Sequence, residues 1–332
     1  MAQDYAIGVS TVGFGLHFTY NKGEKWRHIF KPIWPENNVR TIRVSPSEPQ
    51  TIWAGVDRDG IYRSFDNGYR WEKVPSPIED CEIWSLAIDP VDPNRVYVGA
   101  RPDGWRTADG GATWEKMDMG VNPKCPIGVP RITNMLVDPR DRDVLWAGVE
   151  VDGMYRSADG GDTWSAINNM GPDAFYGDVH GLAVAPGSDG AATVYCASPF
   201  GLAISTDEGA SWTNQEFPGF DEGSKNPYAY CRGVFVKPGD PQTVLVGTGD
   251  FIPGQVGRIQ LSRDGGKTWD APELPVKANS TVYWMAMSPE VPDVIVAATI
   301  YGQVFLSENS GESWDKLARE FGEIRCVSLS PA

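Results

Sequence analysis

The sequence predicts an all-β fold, a seven-bladed β-propeller of four-stranded antiparallel blades. Three observations support this prediction. A short phrase recurs along the chain and ends in tryptophan at positions 26, 71, 114, 164, 212, 269 and 314. Each repeat has the composition of four short strands separated by turns. The two chain ends together supply one more repeat period, as a closed ring requires. Periods of this size indicate a repeat architecture.

The recurring sequence is Ser or Thr, one variable position, Asp or Asn, one variable position, Gly, two variable positions and Trp. Its best copies are residues 64–71, 157–164, 205–212 and 262–269; residues 107–114 are a close variant, and 19–26 and 307–314 are weaker. Short Asp side chains in turns commonly accept hydrogen bonds from their own backbone. We therefore predict a structural role, neither catalytic nor metal-binding, for Asp66, Asp109, Asp159, Asp207 and Asp264.

Residues 39–74 show the pattern of one blade. Short segments rich in β-branched and aromatic residues predict strands at 39–45, 51–56, 61–64 and 71–74. Pro46 ends the first strand, and the Asp59–Gly60 and Asp66–Gly68 turns precede the third and fourth. Four antiparallel strands repeated seven times predict a propeller rather than a sandwich, because radial packing leaves only short protected edges.

The chain ends predict ring closure. Residues 323–331 have the pattern of an innermost strand, and residues 5–28 supply the three outer strands of the same blade. In this arrangement two strand edges that would otherwise be free are paired, and both chain termini are held in the sheet. We therefore expect residues 1–332 to form a single propeller domain.

Composition limits the partners. With 44 acidic and 29 basic residues the net charge is −15, so we expect neither nucleic acid nor an anionic membrane as the main partner. We also expect a monomer. Five cysteines without a C-x-x-C pair predict reduced thiols rather than a zinc site or a disulfide framework. We expect no cofactor. The first residues lack the features of a signal peptide, which leaves a cytoplasmic protein or a mature secreted form.

The innermost strands predict a functional site at one end of the central channel. We aligned them on their terminal prolines at 46, 90, 139, 186, 238, 289 and 331. Six positions before each proline stand Arg40, Trp84, Thr133, His180, Arg232, Tyr283 and Arg325; two positions earlier stand Asn38, Glu82, Arg131, Asp178, Tyr230, Thr281 and Glu323. The turns between second and third strands and the first entering loop add Asp57, Arg58, Arg101, Glu150, Phe200, Asp250, Tyr301 and Trp34.

Four of these residues are arginines on four different blades: Arg40, Arg131, Arg232 and Arg325. A guanidinium is suited to forked recognition of carboxylate, phosphate or sulfate. The predicted ligand is therefore a small anion or an acidic sugar, to which Trp34, Trp84 and Tyr230 offer stacking surfaces and Arg58, Glu150 and Asp250 offer polar groups. The alternative, which is compatible with this role, is that the arginines pair with Glu82, Asp178 and Glu323 and tie the blades together.

Candidate catalytic groups lie at the same end. Asp178 and His180 alternate on one strand, so the carboxylate can orient the imidazole for proton transfer; the alternative is a buried hydrogen-bonding histidine. Tyr283 and Tyr230, which are both near arginines, can have a lowered pKa and act as a base; the alternative is that they only pack. A glycosidase instead needs two opposed carboxylates, for which Glu82, Asp178, Glu323 and Glu150 are candidates. Hard-cation ligation by Asp57, Glu150 and Asp250 has no supporting pattern, and we expect no metal.

The recurring phrase resembles the Asp-box, or BNR repeat, of sialidases, two-domain xyloglucan-degrading glycosidases, sortilin-type receptors and photosystem II assembly factors. The resemblance covers nearly the whole chain and implies a propeller whose Asp-boxes lie opposite the ligand face. It favours an enzyme that cleaves a glycosidic bond in a carboxylate-bearing sugar, by lyase or hydrolase chemistry. The alternative is a non-catalytic scaffold similar to the photosystem II assembly factors. The Arg-Ile-Pro motif of sialidases and the second propeller of the xyloglucan enzymes are missing.

Overall fold

The computed structural model describes residues 4–126, 128–171, 174–187, 190–220 and 228–332. Short strands dominate these residues. They are β1 (Tyr5–Thr11), β2 (Leu16–Thr19), β3 (Arg27–His28), β4 (Val39–Val44), β5 (Ile52–Val56), β6 (Gly60–Ser64), β7 (Glu72–Val74), β8 (Glu82–Ile88), β9 (Val96–Arg101), β10 (Gly104–Thr107), β11 (Glu115–Met117), β12 (Ile132–Val137), β13 (Leu145–Val149), β14 (Gly153–Ser157), β15 (Ser165–Ile167), β16 (Gly181–Pro186), β17 (Ala192–Ser198), β18 (Gly201–Ser205), β19 (Thr213–Gln215), β20 (Tyr230–Lys237), β21 (Asp240–Gly249), β22 (Gly257–Ser262), β23 (Val282–Met287), β24 (Ile295–Thr299), β25 (Val304–Ser307), β26 (Asp315–Lys316) and β27 (Ile324–Pro331). A 3₁₀ helix spans Ala174–Gly177.

The strands form seven antiparallel sheets, which are the blades of a propeller. From the axis outward, blades one to six are β4–β7, β8–β11, β12–β15, β16–β19, β20–β22 and β23–β26, and blade seven is β27, β1, β2 and β3. The predicted fold class is confirmed. The innermost strands start at one end of the channel, so the turns between second and third strands share that end and the Asp-box turns lie at the other.

Blade seven joins the two ends of the chain, as predicted. β27 pairs with β1 in antiparallel register, from Tyr5 opposite Pro331 to Thr11 opposite Ile324. The amide of Ala332 also donates to the carbonyl of Asp4 at 2.9 Å. The innermost strand of this blade therefore comes from the C-terminal end and its outer strands from the N-terminal end.

Blade five differs from the predicted four strands. Its sheet has three strands, and a single bridge between Leu261 and Asp270 stands in place of the fourth. Pro272 follows two residues later and has no amide hydrogen with which to continue the ladder. The pattern of the repeat alone does not show this interruption.

The Asp-box aspartates bond their own turns, as predicted. In blade three the Ser157 hydroxyl accepts from the Gly161 amide at 2.9 Å and donates to Asp159 at 2.8 Å. Asp159 also accepts from the Thr163 hydroxyl at 2.6 Å and amide at 2.9 Å, and these bonds lower its pKa to about 2. Equivalent bonds are made by the aspartates at 66, 109, 207 and 264.

Apolar side chains fill the spaces between neighbouring blades. Between blades one and two, for example, Trp53 and Ile61 pack with Ile83 and Val98, all fully buried. The five cysteines are free thiols. Among the described residues, no helix has the length and apolar character to cross a membrane. The core thus consists of a series of inter-blade layers around the axis.

Candidate functional site

β-bulges place a set of side chains at the start of the innermost strands. In blade one, Val39 and Thr41 pair with the consecutive residues Val56 and Gly55, so Arg40 is the extra residue of the bulge. The same irregularity occurs at Trp84, Thr133, Arg232, Tyr283 and Arg325. An extra residue in one strand of an antiparallel pair changes the direction in which its side chain points. The bulges therefore explain why one position in each of six blades is directed at a common site; in blade four, whose register is regular, His180 instead directly precedes the strand.

Seven side chains, one from each blade, line a single small cavity at this end of the channel. We call them the mouth ring: Arg40, Trp84, Thr133, His180, Arg232, Tyr283 and Arg325. They are the residues that the alignment on the terminal prolines selects. The cavity has a volume of about 20 Å³, which suits about one water molecule. The mouth of the channel is therefore almost closed by its own side chains.

On one side of the mouth ring, Trp84 lies between two guanidinium groups. The guanidinium carbons of Arg40 and Arg131 are 4.1 and 4.8 Å from the centre of its ring, within cation–π range. Arg40 Nε contacts Asp57 Oδ2 at 2.5 Å, and Arg131 Nη1 contacts Glu150 Oε2 at 2.7 Å. Burial raises the pKa of Asp57, although Arg40 opposes this. The stack ties together blades one, two and three.

On the other side, Tyr283 lies between Arg232 and Arg325. Its hydroxyl accepts from Arg232 Nη2 at 2.7 Å and from Arg325 Nη1 at 2.9 Å. Burial alone would raise the pKa of Tyr283, but the two positive charges and their hydrogen bonds outweigh it and lower the pKa to about 8. Arg325 also pairs with Glu323. The lowered pKa predicted for the tyrosines near the arginines is thus present at Tyr283 and wrong for Tyr230, whose pKa is raised by burial.

Arg232 is a buried cation without a carboxylate partner. It is 9% exposed, and none of the carboxylates in the described part of the chain lies within 4.0 Å of its guanidinium. Its closest polar partner is the Tyr283 hydroxyl. A buried charge normally needs a charged or hydrogen-bonded partner. The chemistry of this position therefore suits an incoming anion.

Between these two groups lie Asp178, His180 and Glu150. His180 Nε2 is 3.2 Å from Asp178 Oδ2 and 3.5 Å from the Tyr230 hydroxyl. Burial lowers the pKa of His180, and Asp178 opposes this only in part, so the imidazole is neutral near pH 7. His180 Nδ1 and Asp178 Oδ1 are buried without a hydrogen-bond partner. The predicted alignment of Asp178 with His180 is present.

These three residues are also the group best placed to hold a metal. One ligand atom from each of Glu150, Asp178 and His180 lies within 4.8 Å of the others. Arg131 already binds Glu150, and the positive charge of Arg232 acts on His180. Two guanidiniums beside the group disfavour a further cation. We therefore still expect no metal at this site.

The predicted pairing of the four arginines with Glu82 and Asp178 is wrong. Arg325 does pair with Glu323, but the two residues belong to one blade, so this pair does not tie blades together. Glu82 instead accepts from Trp84 Nε1 at 3.2 Å and lies 3.6 Å from Arg101. The arginines bind Asp57 and Glu150 because those residues end the second strand directly beside the bulge. Carboxylates across the same hairpin were closer than carboxylates on neighbouring blades.

Six predicted binding residues do not line the mouth cavity. Arg131, Glu150 and Tyr230 lie next to it, beside Trp84 or His180. The other three are Arg58, Asp250 and Trp34. Arg58 is exposed and has a positive φ of 54°, at the turn after β5. Asp250 accepts from the Gln255 amide at 2.8 Å and so caps its own turn. Trp34 is 57% exposed, on the loop that enters β4. Arg58, Asp250 and Trp34 lie at the predicted end of the ring, but their side chains do not line the mouth cavity.

The aromatic residues at this end separate into buried and exposed sets. Tyr230 and Tyr283 are each 4% exposed; Tyr283 belongs to the mouth ring, and Tyr230 lies beside His180 of that ring. Trp34 and Tyr301 are exposed on the surrounding face, together with three residues that the sequence analysis did not select: Phe14, Phe30 and Phe251. Phe14 and Phe251 lie in turns between second and third strands. This position in the repeat is the sequence feature by which they could have been selected. This face therefore presents aromatic surface around a nearly closed mouth.

Comparisons with known proteins agree with this architecture. The family model for sortilin, neurotensin receptor 3, matches residues 59–199, and the BNR/Asp-box repeat model matches residues 260–271. The chain is therefore a seven-bladed β-propeller that carries the Asp-box repeat.

Among curated proteins, the chain is similar to a probable oligoxyloglucan-reducing end-specific xyloglucanase of Neosartorya fischeri. The two are 28% identical over 265 residues, which are 75% of this chain and 29% of that protein. A xyloglucanase of Paenibacillus sp. is also 28% identical, over 71% of this chain and 26% of the relative. The chain thus spans less than a third of the length of these relatives.

Among solved structures, the Niastella koreensis GH74 enzyme aligns with a TM-score of 0.66 and 19% identity, covering 84% of this chain and 45% of the enzyme. YCF48 from Cyanidioschyzon merolae aligns with a TM-score of 0.59 and 15% identity, covering 89% of this chain and 95% of that protein. At these identities the alignments show the fold.

Proposed function

We propose that this chain is a glycoside hydrolase that acts on a glycan bearing a carboxylate, with the reaction beside the mouth ring, at Glu150 and Asp178 next to His180. The observation that carries the proposal is Arg232, a buried guanidinium with no carboxylate of the described chain within 4.0 Å. The similarity to xyloglucanases supports hydrolysis of a glycan. The carboxylate requirement comes from the arginines of this chain.

The dimensions of the mouth restrict what can enter it. A cavity of about 20 Å³ holds no sugar ring, so only the substrate carboxylate reaches Arg232 and Arg325, displacing water. The sugar itself lies on the open face, where Trp34, Phe251 and Tyr301 offer aromatic surface. Forked bonds from the two guanidiniums orient the substrate relative to the nearby carboxylates.

Glu150 and Asp178 are the carboxylate pair of this proposal. Their closest oxygens lie within 4.8 Å, near the separation of about 5 Å that is typical of retaining glycosidases. Glu150, oriented by Arg131, attacks the anomeric carbon, and Asp178 donates a proton to the departing glycosidic oxygen. Water then hydrolyses the glycosyl–enzyme ester, with Asp178 accepting the water proton. His180 positions Asp178 through their 3.2 Å contact.

A glycan panel that includes xyloglucan and uronate-bearing polysaccharides tests the proposal through the release of reducing ends. We expect Glu150→Gln and Asp178→Asn each to lower kcat by at least ~100-fold, the usual size of an acid–base contribution. Asp315→Asn is the matched control, because Asp315 is exposed on the outermost strand of blade six. Full activity in both site variants would remove the carboxylate pair from the mechanism. Unsaturated products in place of reducing ends would indicate a lyase with Tyr283 as the base.

A second candidate is a non-catalytic scaffold. Three of the four arginines already have carboxylate partners, and the mouth holds about one water molecule, as suits a structural cluster. The alignment with YCF48 covers 89% of this chain and 95% of that protein, so the two folds match over nearly their whole lengths. Binding to an acidic glycan without turnover, across the whole panel, would favour this candidate over the hydrolase.

A further inference from the structure

The channel contains a second, larger cavity that the mouth ring does not use. We call it the chamber. It has a volume of about 360 Å³ and is lined by the inner strands of several blades, including Val44, Val137, Val184, Val236 and Leu329. Pro139 and Pro238, which lie at the ends of inner strands, mark its opening on the Asp-box face. An apolar cavity of this size is typical of a small-molecule site.

Arg43 is the only cationic residue among the described residues that line the chamber. Its guanidinium carbon lies 4.6 Å from the centre of the Trp284 ring, and Nη1 contacts the Ile42 carbonyl at 2.9 Å and Cys326 Sγ at 3.1 Å. Trp284 and Cys326 also line the mouth cavity, so Arg43 lies at the inner end of the chamber. No carboxylate of the described chain is within 4.0 Å of it. A guanidinium has five N–H donors, so donors remain for an anion.

We propose that the chamber binds an unbranched aliphatic carboxylate, such as a medium-chain fatty acid, with the carboxylate on Arg43. The charge of the ligand complements the unpaired guanidinium, and its chain covers the apolar wall toward the opening. A cavity of about 150 Å³ accommodates benzene, so about 360 Å³ accommodates a chain of roughly ten carbons. This site is separate from the proposed hydrolase site and does not depend on it.

Chain length supplies the first test. Calorimetric titration of the full chain with hexanoate, octanoate and decanoate should give saturable binding that strengthens about fourfold for each added methylene. Val184→Trp places a large ring in the chamber and should abolish binding of all three acids. The absence of saturable decanoate binding, or equal binding by Val184→Trp, would overturn the proposal.

The role of Arg43 is tested by comparing decanoate with decanol. We expect Arg43→Met to weaken decanoate binding about 10-fold to 100-fold, as loss of a charged hydrogen bond does, and to change decanol binding less than twofold. Arg258→Met is the matched control, because Arg258 also stacks on an aromatic ring, 4.3 Å from Phe220, but lies outside the chamber. Arg43→Lys keeps the charge and should retain binding. Decanoate affinity that is unchanged in Arg43→Met would show that the carboxylate does not bind there.

Discussion

Two tyrosines that lie near the same arginine respond to it differently. Burial raises the pKa of Tyr230 despite the charge of Arg232, because Tyr230 has one guanidinium near it and neighbouring acids. Tyr283 receives hydrogen bonds from both Arg232 and Arg325, and its pKa falls to about 8. A phenol with this pKa is partly ionised under mildly alkaline conditions. The number of guanidiniums that reach the hydroxyl therefore decides its charge.

A spectroscopic titration tests this difference. We expect one tyrosine to ionise near pH 8, well below the ordinary pKa of 10.0. This transition should be absent from the titration of Tyr283→Phe. Tyr230→Phe should leave this transition in place. A curve in which every tyrosine ionises above pH 10 would contradict the predicted charge on Tyr283.

The same pKa shift predicts a pH-dependent stability. The pKa of Tyr283 is lower in the folded state than in the unfolded state, so ionisation of Tyr283 stabilises the folded state. This stabilisation is complete above pH 10 and is lost as the pH falls through about 8. The unfolding free energy of the native chain relative to Tyr283→Phe should therefore rise by about 2 kcal/mol from pH 8 to pH 10. Denaturant unfolding at both pH values measures it, and a difference independent of pH would contradict it.

Bulges in the innermost strands are the elements that build the mouth. Opposite several of them the second strand carries glycine, for example Gly99 opposite Ser85 beside Trp84. A Cβ at Gly99 would lie 2.6 Å from the Ile132 carbonyl oxygen of the next blade, a contact that the backbone must move to relieve. The glycine thus allows neighbouring inner strands to approach closely at the bulge.

We therefore expect Gly99→Ala to lower the unfolding free energy by about 1–3 kcal/mol, as overpacking in a core does. Gly322→Ala is the control, because no atom lies within 4 Å of a Cβ placed there. Thermal or denaturant unfolding of the two variants compares them directly. Equal stability would mean that the inter-blade contact is easily relieved.

Periodicity predicted the strands of each blade well, because turn residues and β-branched runs are local signals. In blade one the predicted strand 51–56 is observed as Ile52–Val56, and 71–74 as Glu72–Val74. The alignment also selected all seven residues of the mouth ring. The alignment did not identify the bulges. Whether a residue is extra depends on the register between two paired strands, which the sequence of one strand does not show. For the same reason the alignment did not identify Asp57 and Glu150 as the partners of Arg40 and Arg131.

At the scale of the whole molecule, the ring is closed by hydrogen bonds between the two ends of the chain. β27 contributes Ile324, Val327 and Leu329 to the apolar layer between blades six and seven, and all three are buried. Loss of this strand would expose the edges of β1 and of the neighbouring blade. Closure therefore stabilises every inter-blade layer at once.

Deletion of residues 324–332 should abolish cooperative unfolding, whereas a circular permutant that joins residue 332 to residue 4 through a short linker should retain it. The permutant keeps β27 paired with β1, and its linker spans ends that are already hydrogen-bonded. Opening the permutant between residues 123 and 124 places the new ends in an exposed loop. Circular dichroism during heating distinguishes the outcomes; a truncated chain that melts at the native temperature would contradict the role of β27.

The near-complete closure at the mouth ring also has a consequence for transport. A cavity of about 20 Å³ holds about one water molecule, so a solute as large as a fatty acid does not fit through the mouth ring. Solutes that reach the chamber must enter and leave from the Asp-box face. A molecule held on the opposite face would then neither compete with the chamber's occupant nor obstruct its exit, and the two would exchange with solvent independently.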